Sequence, residues 1–374
     1  MKIRAAVLEE AGRSRPYADS LPISVGEIEL DGPGEGEVLI QIKGAGVCHS
    51  DLSTISGVRP RPLPILLGHE AAGIVEEPGA GVTDFKKGDH VVMSFVPFCG
   101  DCLPCHEGRP QLCEPGLGAN GAGTLLGGHR RGHRNDERLY HHSGVSGFSE
   151  YTVVSQRSLV KIDPELPLSE AALFGCAVMT GVGSVVNTAG MKMGTTAAVV
   201  GLGGVGLNAL LGAIAAGAQR IVAIDLNDDK LALARQLGAT DTVNPSDGDA
   251  IEHVRDITSG GVDYGFETAG AVAALETAYG VTKRGGTTVT CGISPPDGTM
   301  ALNHIHLVGE ERTLKGSYMG SCVPRRDIPR YIALYQAGKL PIDRLMSERL
   351  TLDDINVAMD RLANGETVRQ IIEF

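Results

Sequence analysis

Four cysteines with regular spacing lie in one short stretch of the chain. They follow the pattern C-x2-C-x2-C-x7-C at Cys99, Cys102, Cys105 and Cys113. Hydrophobic packing requires no such spacing, whereas four thiolates on closely spaced turns can converge on one tetrahedral zinc ion. Because four protein ligands leave no open position on the metal, we interpret the cluster as a structural zinc site. Two disulfides or an iron–sulfur cluster are the alternatives that the spacing leaves open.

The other four cysteines stand singly, at Cys48, Cys176, Cys291 and Cys322. Single thiols beside one clustered set are typical of a reducing compartment, so we expect a cytoplasmic protein. The first residues read as a strand rather than as a secretion signal, and no stretch approaches the ~18 apolar residues of a membrane span. We therefore expect no membrane partner.

Size and charge narrow the class of protein further. The chain has 374 residues, 42% of them hydrophobic, which favours two domains with sizeable cores. The formal net charge of -12 argues against a nucleic-acid partner, which would require a basic face. The 51 glycines follow no repeat period, so they indicate many turns and close backbone approaches, as in a large α/β enzyme.

The pattern of apolar residues along the sequence changes near residue 177. Before it, short strand-like runs alternate with Gly and Pro. After it, apolar strands predicted at 196–200, 221–225, 262–267 and 287–290 alternate with helices, two of them predicted at 205–216 and 228–237. Such a βαβαβ series indicates a doubly wound parallel sheet of the Rossmann type. We expect this sheet to end near 287–293, with a strand at 313–317 nearby.

A glycine motif opens the helix after the first of these strands. It reads G-x-G-x-x-G and comprises Gly201, Leu202, Gly203, Gly204, Val205 and Gly206. The glycines suit a tight turn, a close approach of the backbone to a pyrophosphate, and close helix–strand packing. Asp225 ends the next strand, where its carboxylate can accept hydrogen bonds from the adenosine ribose and would repel a 2′-phosphate. The motif therefore predicts NAD rather than NADP, with Lys230 as a further ribose contact.

Three scattered residues form a candidate catalytic metal set. Cys48, His69 and Cys176 offer two thiolates and one imidazole. Three protein ligands with a fourth position open to substrate is the arrangement of a catalytic zinc. None of the three is convincing alone, since single Cys and His residues are usually packing or surface residues. Their coincidence with the four-cysteine cluster and the glycine motif supports the assignment.

Taken together, these motifs resemble those of the zinc-dependent medium-chain alcohol dehydrogenases, of the long-loop dimeric type. The resemblance extends from end to end, through GVCHSD at 46–51, LGHEAAG at 67–73, the lobe at 99–113, GCAVMTG at 175–181, GLGGVG at 201–206 and ETVRQIIEF at 366–374. It implies an α/β protein with a mostly-β, GroES-like catalytic domain over 1–177 and a zinc lobe at 95–116. It also implies a Rossmann domain over 178–318 and a segment, 319–374, that returns to the catalytic domain.

The resemblance also implies roles for individual residues. Two zinc ions per chain are expected, one in the lobe and one held by Cys48, His69 and Cys176. Beside the catalytic zinc, Ser50 would start a proton relay, Asp51 would orient His69, and Glu70 would lie behind the metal. Besides Val205 of the glycine motif, the residues expected to contact the coenzyme are His49, Thr180 and Arg369, and the expected pocket walls are Phe95 and Leu117.

Two positions depart from the pattern of the family, and one loop is unusual. Ser53 stands where many relatives end the relay on a histidine, so proton exit would run through the coenzyme ribose, water or His49. Leu117 stands where the glutathione-dependent formaldehyde branch has an arginine, which argues against a hydroxymethylglutathione substrate. The loop 116–147 is unusually basic around 128–142. We interpret it as a solvated loop, with an anion or partner site as the alternative.

The implied activity is reversible oxidation of a primary or secondary alcohol to an aldehyde or ketone. Zinc would serve as Lewis acid, and hydride would pass to nicotinamide C4. A nicotinoprotein that retains its NAD is the alternative, and a non-enzymatic binding protein on this scaffold is less favoured because no catalytic ligand is missing. A homodimer joined through the edge of the parallel sheet is expected, with a tetramer as second choice.

Overall fold

The computed structural model describes all residues, 1–374, in two compact units. The first unit contains Met1–Cys176, Val323–Ile332 and Asp343–Phe374, and the second contains Ala177–Cys322 and Ala333–Ile342. The expected C-terminal segment differs from this division, because 319–322 and 333–342 group with the second unit. One boundary falls inside the helix Pro324–Gln336, so no linker in the sequence could have marked it.

The first unit is built on two mixed sheets. In spatial order, the six-stranded sheet contains Glu137–Arg138, Gly132–Arg134, Ile23–Leu30, Lys2–Leu8, Ile65–Leu66 and Tyr140–His141. The other contains Leu159–Lys161, His90–Met93, Ala71–Pro78, Glu37–Val47, Arg369–Glu373 and Met346–Leu350, with Tyr151–Ser155 also paired to Glu37–Val47. Nine of the eleven residues of Glu37–Val47 are buried, so this strand forms the centre of the unit.

The helices of the first unit are short, and one of them positions the candidate site. They are Tyr17–Ser20, His49–Ile55, Leu103–His106, Glu114–Ala122, Leu168–Ala171 and Ile355–Ala363. The longer helix Pro324–Gln336 begins in this unit, and its last residues belong to the second. The helix His49–Ile55 begins directly after the central strand, with Cys48 as its N-cap. The Cys48 N–H donates to Asp51 Oδ2 at 3.2 Å, which satisfies one of the free donors at this helix start. Cys48 is thereby fixed at the junction of strand and helix.

The second unit is a six-stranded parallel sheet. Its order is Asp241–Val243, Arg220–Ile224, Thr196–Val200, Val262–Glu267, Thr282–Thr290 and Thr313–Gly316. Its helices are Ala177–Gly183, the π-helical turn Ser184–Ala189, Gly204–Ala215, Asp228–Leu237, Ala250–Ile257, Val272–Val281 and His304–Gly309. This is the doubly wound order 3-2-1-4-5-6, and the predicted fold class is confirmed. The edge expected near 287–293 is wrong, because Thr313–Gly316 pairs outside Thr282–Thr290.

The basic loop is folded rather than irregular. It contains the helix Glu114–Ala122, the hairpin Gly132–Arg134 with Glu137–Arg138, and the strand Tyr140–His141. Its basic side chains contact carboxylates within the first unit: His129 and Arg131 contact Glu37, Arg134 contacts Glu9, and His133 and Arg138 contact Asp31. Glu37 is only 4% exposed, so its pairs anchor the loop more firmly than surface pairs would. These charges serve the loop's own folding.

None of the helices is by itself long and apolar enough to cross a membrane. The two helical segments Leu168–Gly175 and Ala177–Ala189 together have the length and apolar composition of a membrane span, but the chain is bent between them and most of their residues are buried inside the protein.

Candidate functional site

The four regularly spaced cysteines converge in the structure. The Sγ atoms of Cys99, Cys102, Cys105 and Cys113 all lie within 4.8 Å of one another, and all four thiols are free. Backbone N–H groups point at the sulfurs: that of Cys99 donates to Cys113 Sγ at 3.1 Å, and that of Cys102 donates to Cys99 Sγ at 3.3 Å. Such donors favour thiolates, which are the form that binds zinc.

Burial and hydrogen bonding act in opposite directions on the lobe thiols. Burial would raise the pKa of Cys102, but the backbone N–H groups of Cys105 and Glu114 lower it to about 7. Burial raises the pKa of Cys105 to about 12, so a thiolate there requires a cation beside it. A four-thiol set of this kind fits a zinc ion, which deprotonates coordinating thiols outright.

A second group of ligands lies buried in the first unit. Cys48, His69, Glu70 and Cys176 present ligand atoms within 4.8 Å of one another, and all four residues are buried. His69 follows the strand Ile65–Leu66, and Cys176 follows the turn Ala172–Gly175. The Nε2 atom of His69 is buried without any hydrogen-bond partner. An orphaned imidazole nitrogen beside two thiols is explained by a metal ion, and the donor set of sulfur and nitrogen fits zinc.

The two thiols of this group are electrostatically unequal. The Cys176 thiol donates a hydrogen bond to Cys48, which lowers the pKa of Cys48 well below its usual range. The same contact and burial raise the pKa of Cys176. Two sulfurs that share one proton in this way offer a site for a divalent cation, because the cation would let both ionise.

The carboxylate of Asp51 fixes the ring of His69 from the opposite side. Asp51 is fully buried, and its Oδ1 lies 3.0 Å from His69 Nδ1. Burial would raise the pKa of Asp51, but the neighbouring His69 and His142 rings lower it below its usual range. His142 was not identified as a site residue from the sequence. It lies in the basic loop, 3.2 Å from the same Asp51 oxygen, and no local pattern marks it out.

Arg369 lies beside the candidate zinc ligands. Its guanidinium pairs with Glu70, and both side chains are at least 96% buried. Burial raises the pKa of Glu70 to about 8, although the charge of Arg369 acts to lower it. In this structure Arg369 therefore contacts the group around Cys48, and its expected contact with a coenzyme pyrophosphate stays a prediction.

The remaining predicted residues of the first unit surround this group. Ser50 is half-buried and His49 is exposed in the first turn of the helix His49–Ile55. The Ser53 hydroxyl donates to the His49 carbonyl at 2.8 Å. The ring of Phe95 meets the ring of His69 edge-on, with centroids 5.8 Å apart, and Leu117 is half-buried in the helix Glu114–Ala122. Phe95 thus lies next to the candidate metal, as a pocket wall must.

The glycine motif of the second unit has the geometry of a phosphate-binding turn. Gly201 has φ +90, which a side chain rarely adopts, and a Cβ at Gly206 would lie 1.8 Å from the Gly201 carbonyl oxygen. Around Gly203 there is open space, with no atom within 4 Å of a Cβ placed there. The first and third glycines are therefore required by packing within the protein. The second leaves room at the start of the helix Gly204–Ala215 for a ligand that approaches the backbone.

Asp225 lies beside this turn. Its Oδ2 accepts a hydrogen bond from the Leu202 N–H at 2.6 Å, and its Oδ1 accepts one from the Asn227 N–H at 2.9 Å. Lys230 lies in the first turn of the next helix, Asp228–Leu237, and is half-buried. The carboxylate is therefore held at the end of its strand next to the glycine turn.

Thr180 and Val205, the residues expected to contact the nicotinamide, lie on packed helices. Thr180 is buried in Ala177–Gly183, and Val205 is half-buried in Gly204–Ala215. A Cβ at Gly181 would lie 2.3 Å from the Val205 carbonyl oxygen, so glycine is required for the two helices to approach this closely.

Comparison with known proteins matches both units. Residues 34–164 match the alcohol dehydrogenase GroES-like domain, and residues 204–337 match the zinc-binding dehydrogenase domain. The chain is 37% identical over 384 residues to S-(hydroxymethyl)glutathione dehydrogenase of Paracoccus denitrificans, with 100% of both proteins covered. It is 41% identical over 359 residues to alcohol dehydrogenase class-3 of Drosophila melanogaster, with 94% of each covered. The structure of benzyl alcohol dehydrogenase from Acinetobacter calcoaceticus matches with a TM-score of 0.93 and 31% identity, covering 100% of this chain and 99% of that chain.

Proposed function

The chain belongs to the zinc-dependent medium-chain alcohol dehydrogenases, and from that premise we propose that it oxidises an alcohol reversibly, with NAD as hydride acceptor. The observation that carries this proposal is the buried set of Cys48, His69 and Cys176, with the partnerless Nε2 of His69 beside two thiols. Glu70, the fourth group nearby, is paired with Arg369, so three ligands remain for the metal. A structural zinc site would not leave a coordination position open, whereas three ligands leave one for a substrate oxygen.

These three residues would hold the catalytic zinc. Zinc bound there supplies Lewis-acid chemistry, which lowers the pKa of an alcohol hydroxyl and polarises a carbonyl. Asp51 keeps the His69 ring oriented so that Nε2 faces the thiols. Burial of the whole set excludes water, which strengthens every electrostatic interaction within it.

The proton of the substrate alcohol needs an acceptor within reach. Ser50 is the hydroxyl nearest in sequence to Cys48, and it is half-buried at the start of the helix His49–Ile55. Its Oγ would take the proton and pass it outward to water or to His49, which lies beside it in the first turn of the same helix. Ser53 does not replace it, because its hydroxyl is engaged with the His49 carbonyl.

The coenzyme would bind on the second unit. The open space at Gly203 and the start of the helix Gly204–Ala215 would take the pyrophosphate. Asp225 would accept hydrogen bonds from the ribose hydroxyls, and its charge disfavours a 2′-phosphate. Lys230 would add to the ribose site. Contacts to the rest of the coenzyme are assigned to Thr180, Val205, His49 and Arg369.

We place the substrate among uncharged aliphatic or aromatic alcohols. The two expected pocket walls are Phe95, edge-on to His69, and Leu117. A relative named for S-(hydroxymethyl)glutathione shares 37% of its sequence with this chain. That substrate carries carboxylates, and an apolar leucine at position 117 offers no counter-charge to them.

The test is a substrate panel with purified enzyme and NAD. It contains ethanol, 2-propanol, benzyl alcohol, and formaldehyde mixed with glutathione. We expect turnover of a simple alcohol and its loss in Cys48→Ala. Turnover of the glutathione adduct alone would overturn the substrate class, and turnover of none of the four would overturn the activity. Release of stoichiometric NAD on denaturation would identify the nicotinoprotein form.

A homodimer is the assembly that we propose, with a tetramer of two such dimers as second choice. The parallel sheet ends on Thr313–Gly316, and exposed apolar side chains lie on the preceding helix, with Ile305 70% and Val308 64% exposed. An unpaired edge beside apolar groups suits a two-fold partner. Light scattering should give a mass that is a multiple of the 39.1 kDa of one chain. The double variant Ile305→Asp with Val308→Asp should have a lower mass, because the charges would disrupt the interface. A wild-type mass of one chain would refute this assembly.

The proposed compartment is the cytoplasm. All eight cysteines are free, and two groups of them, in the lobe and at Cys48 with Cys176, must stay reduced to bind zinc.

A further inference from the structure

Asp51 is a buried carboxylate that serves two histidines at once. Its side chain is 0% exposed. Its Oδ2 accepts the Cys48 N–H at 3.2 Å, and its Oδ1 lies 3.0 Å from His69 Nδ1 and 3.2 Å from His142 Nδ1. A carboxylate removed from water must be surrounded by donors or it becomes protonated. His142 is therefore placed where Asp51 needs a donor.

The position of His142 is specific to this carboxylate. The ring is 2% exposed, and its Nδ1 atom makes no well-aligned hydrogen bond, although the Asp51 Oδ1 atom lies 3.2 Å away. A small rotation of the ring would bring this nitrogen into line with that carboxylate oxygen. The ring also meets that of His69 edge-on, with centroids 5.5 Å apart. The neighbouring His141 is equally buried but binds elsewhere, with its Nδ1 2.9 Å from the Ser146 hydroxyl oxygen. The two adjacent histidines are thus equally buried, but only His142 lies beside the Asp51 carboxylate.

A second metal ion is the competing explanation. Asp51, His69 and His142 present ligand atoms within 4.8 Å of one another. However, His69 Nδ1 is 3.0 Å from Asp51, which is a hydrogen-bond distance, and the same ring has its Nε2 aimed at the thiols. A ring that binds zinc through one nitrogen uses the other to donate to an orienting carboxylate. The arrangement therefore favours a hydrogen-bonded support over a second ion.

We propose that His142 is a positioning residue of the zinc site, which holds the Asp51 carboxylate in the orientation that fixes His69. This inference rests on the proposed zinc site at Cys48, His69 and Cys176. Without His142, one face of the Asp51 carboxylate loses its donor, and the carboxylate can rotate away from His69. The consequence is a looser imidazole ligand, and outer partners of this kind typically contribute about 10- to 100-fold in metal affinity.

The experiment measures zinc release to a chromogenic chelator from the purified, zinc-loaded enzyme. His142→Phe keeps the ring shape but removes the donor. His142→Asn places an amide N–H near the position of Nδ1, and His142→Gln places it farther out. His141→Phe is the matched control, because it removes an equally buried imidazole that does not contact Asp51. The release phase that is missing in Cys48→Ala identifies the catalytic zinc.

We expect His142→Phe and His142→Gln to accelerate that phase by about 10-fold or more, with the lobe phase unchanged. His142→Asn should restore a rate close to the wild type. In the cobalt-loaded enzyme, the thiolate-to-metal absorption band should change in His142→Phe and His142→Gln and stay close to that of the wild type in His142→Asn. This band reports the geometry of the ligands rather than the stability of the protein. Because His142→Asn and His142→Gln differ only in reach, they keep the test decisive even if His142→Phe fails to fold.

Three results would overturn the proposal: an unchanged rate in His142→Gln, equal acceleration of both zinc phases, or equal acceleration in His141→Phe. The measurement needs no substrate. A wild type that holds both zinc ions but oxidises no alcohol would end the proposed function and leave this inference standing, so the two failures can be told apart.

Discussion

Glu70 and Arg369 form an ion pair that is buried behind the candidate zinc ligands, although 299 residues separate them in the chain. Gly46 makes room for it. A Cβ at Gly46 would lie 2.7 Å from Glu70 Oε2 and 2.8 Å from Arg369 Nη2. The central strand, the turn after His69 and the C-terminal strand therefore depend on one another at this point.

The two halves of this pair should differ in how well the protein tolerates their loss. A guanidinium cannot lose its proton, so Glu70→Gln leaves a buried charge without its partner, at a cost of about 3 kcal/mol or more. Arg369→Met should cost less, because the buried Glu70 can become protonated; its pKa already stands at about 8. Urea unfolding of the zinc-loaded variants at about pH 9, where the Glu70 carboxyl of the wild type is ionised, would measure both. A greater loss of stability in Arg369→Met would contradict this reasoning.

The parts of the protein that the sequence revealed are those with local signals. The helix Asp228–Leu237 and the strands Thr196–Val200 and Val262–Glu267 match their predicted bounds, because apolar runs and turn residues mark both ends. The glycine motif and the four-cysteine cluster have fixed spacings, and these spacings predict the local geometry of the turn and of the thiol cluster. In each of these cases the residues that interact are neighbours in sequence.

Other features depend on contacts that no local pattern encodes. His142 reaches Asp51 from a loop, and Arg131 reaches the buried Glu37 across 94 residues, which explains a basic stretch that the sequence left ambiguous. The boundary between the units at residues 176 and 177 agrees with the predicted one to within a residue, but the boundary inside the helix Pro324–Gln336 could not be located because no linker marks it. Specific long-range pairing becomes visible only once the sheets are assembled.

The zinc content provides a direct test of the two metal sites. We expect about two zinc ions per chain in the wild type and about one in Cys48→Ala, because the lobe keeps all four of its thiols. Cys48→Ala should lose turnover and keep its fold. Cys113→Ser is the complementary variant, and it should lose the lobe zinc and unfold more readily. Elemental analysis that finds no more than one zinc in the wild type would show that the division into two sites is wrong.

The choice of coenzyme should depend on Asp225. The wild type should prefer NAD over NADP in kcat/KM by at least about tenfold, which corresponds to about 1.4 kcal/mol, because the carboxylate repels a 2′-phosphate. Asp225→Gly should narrow the gap, mostly by weakening NAD. Asp225→Asn is the matched control, since it keeps an oxygen for the Leu202 or Asn227 N–H while removing the charge. Equal kcat/KM for both coenzymes in the wild type would refute the assignment.

Ser50 should carry the first proton step. Ser50→Ala should slow alcohol oxidation by roughly 10²-fold, which is in the range of general acid–base effects. The affinity for NAD should barely change, because this hydroxyl is assigned to the substrate. Steady-state kinetics with a simple alcohol, together with a separate NAD titration, would distinguish the two effects.

Ser53→Ala is the control for this prediction, because Ser53 lies one turn further along the same helix and already donates to the His49 carbonyl at 2.8 Å. Ser53 stands where many relatives end the relay on a histidine, and unlike an imidazole its hydroxyl cannot hold the departing proton near neutral pH, so its removal should be nearly silent. The two variants therefore separate a proton-transfer role from a general effect on the helix His49–Ile55. A large loss of rate in Ser53→Ala with little change in Ser50→Ala would reverse the assignment and imply a different pose of the substrate.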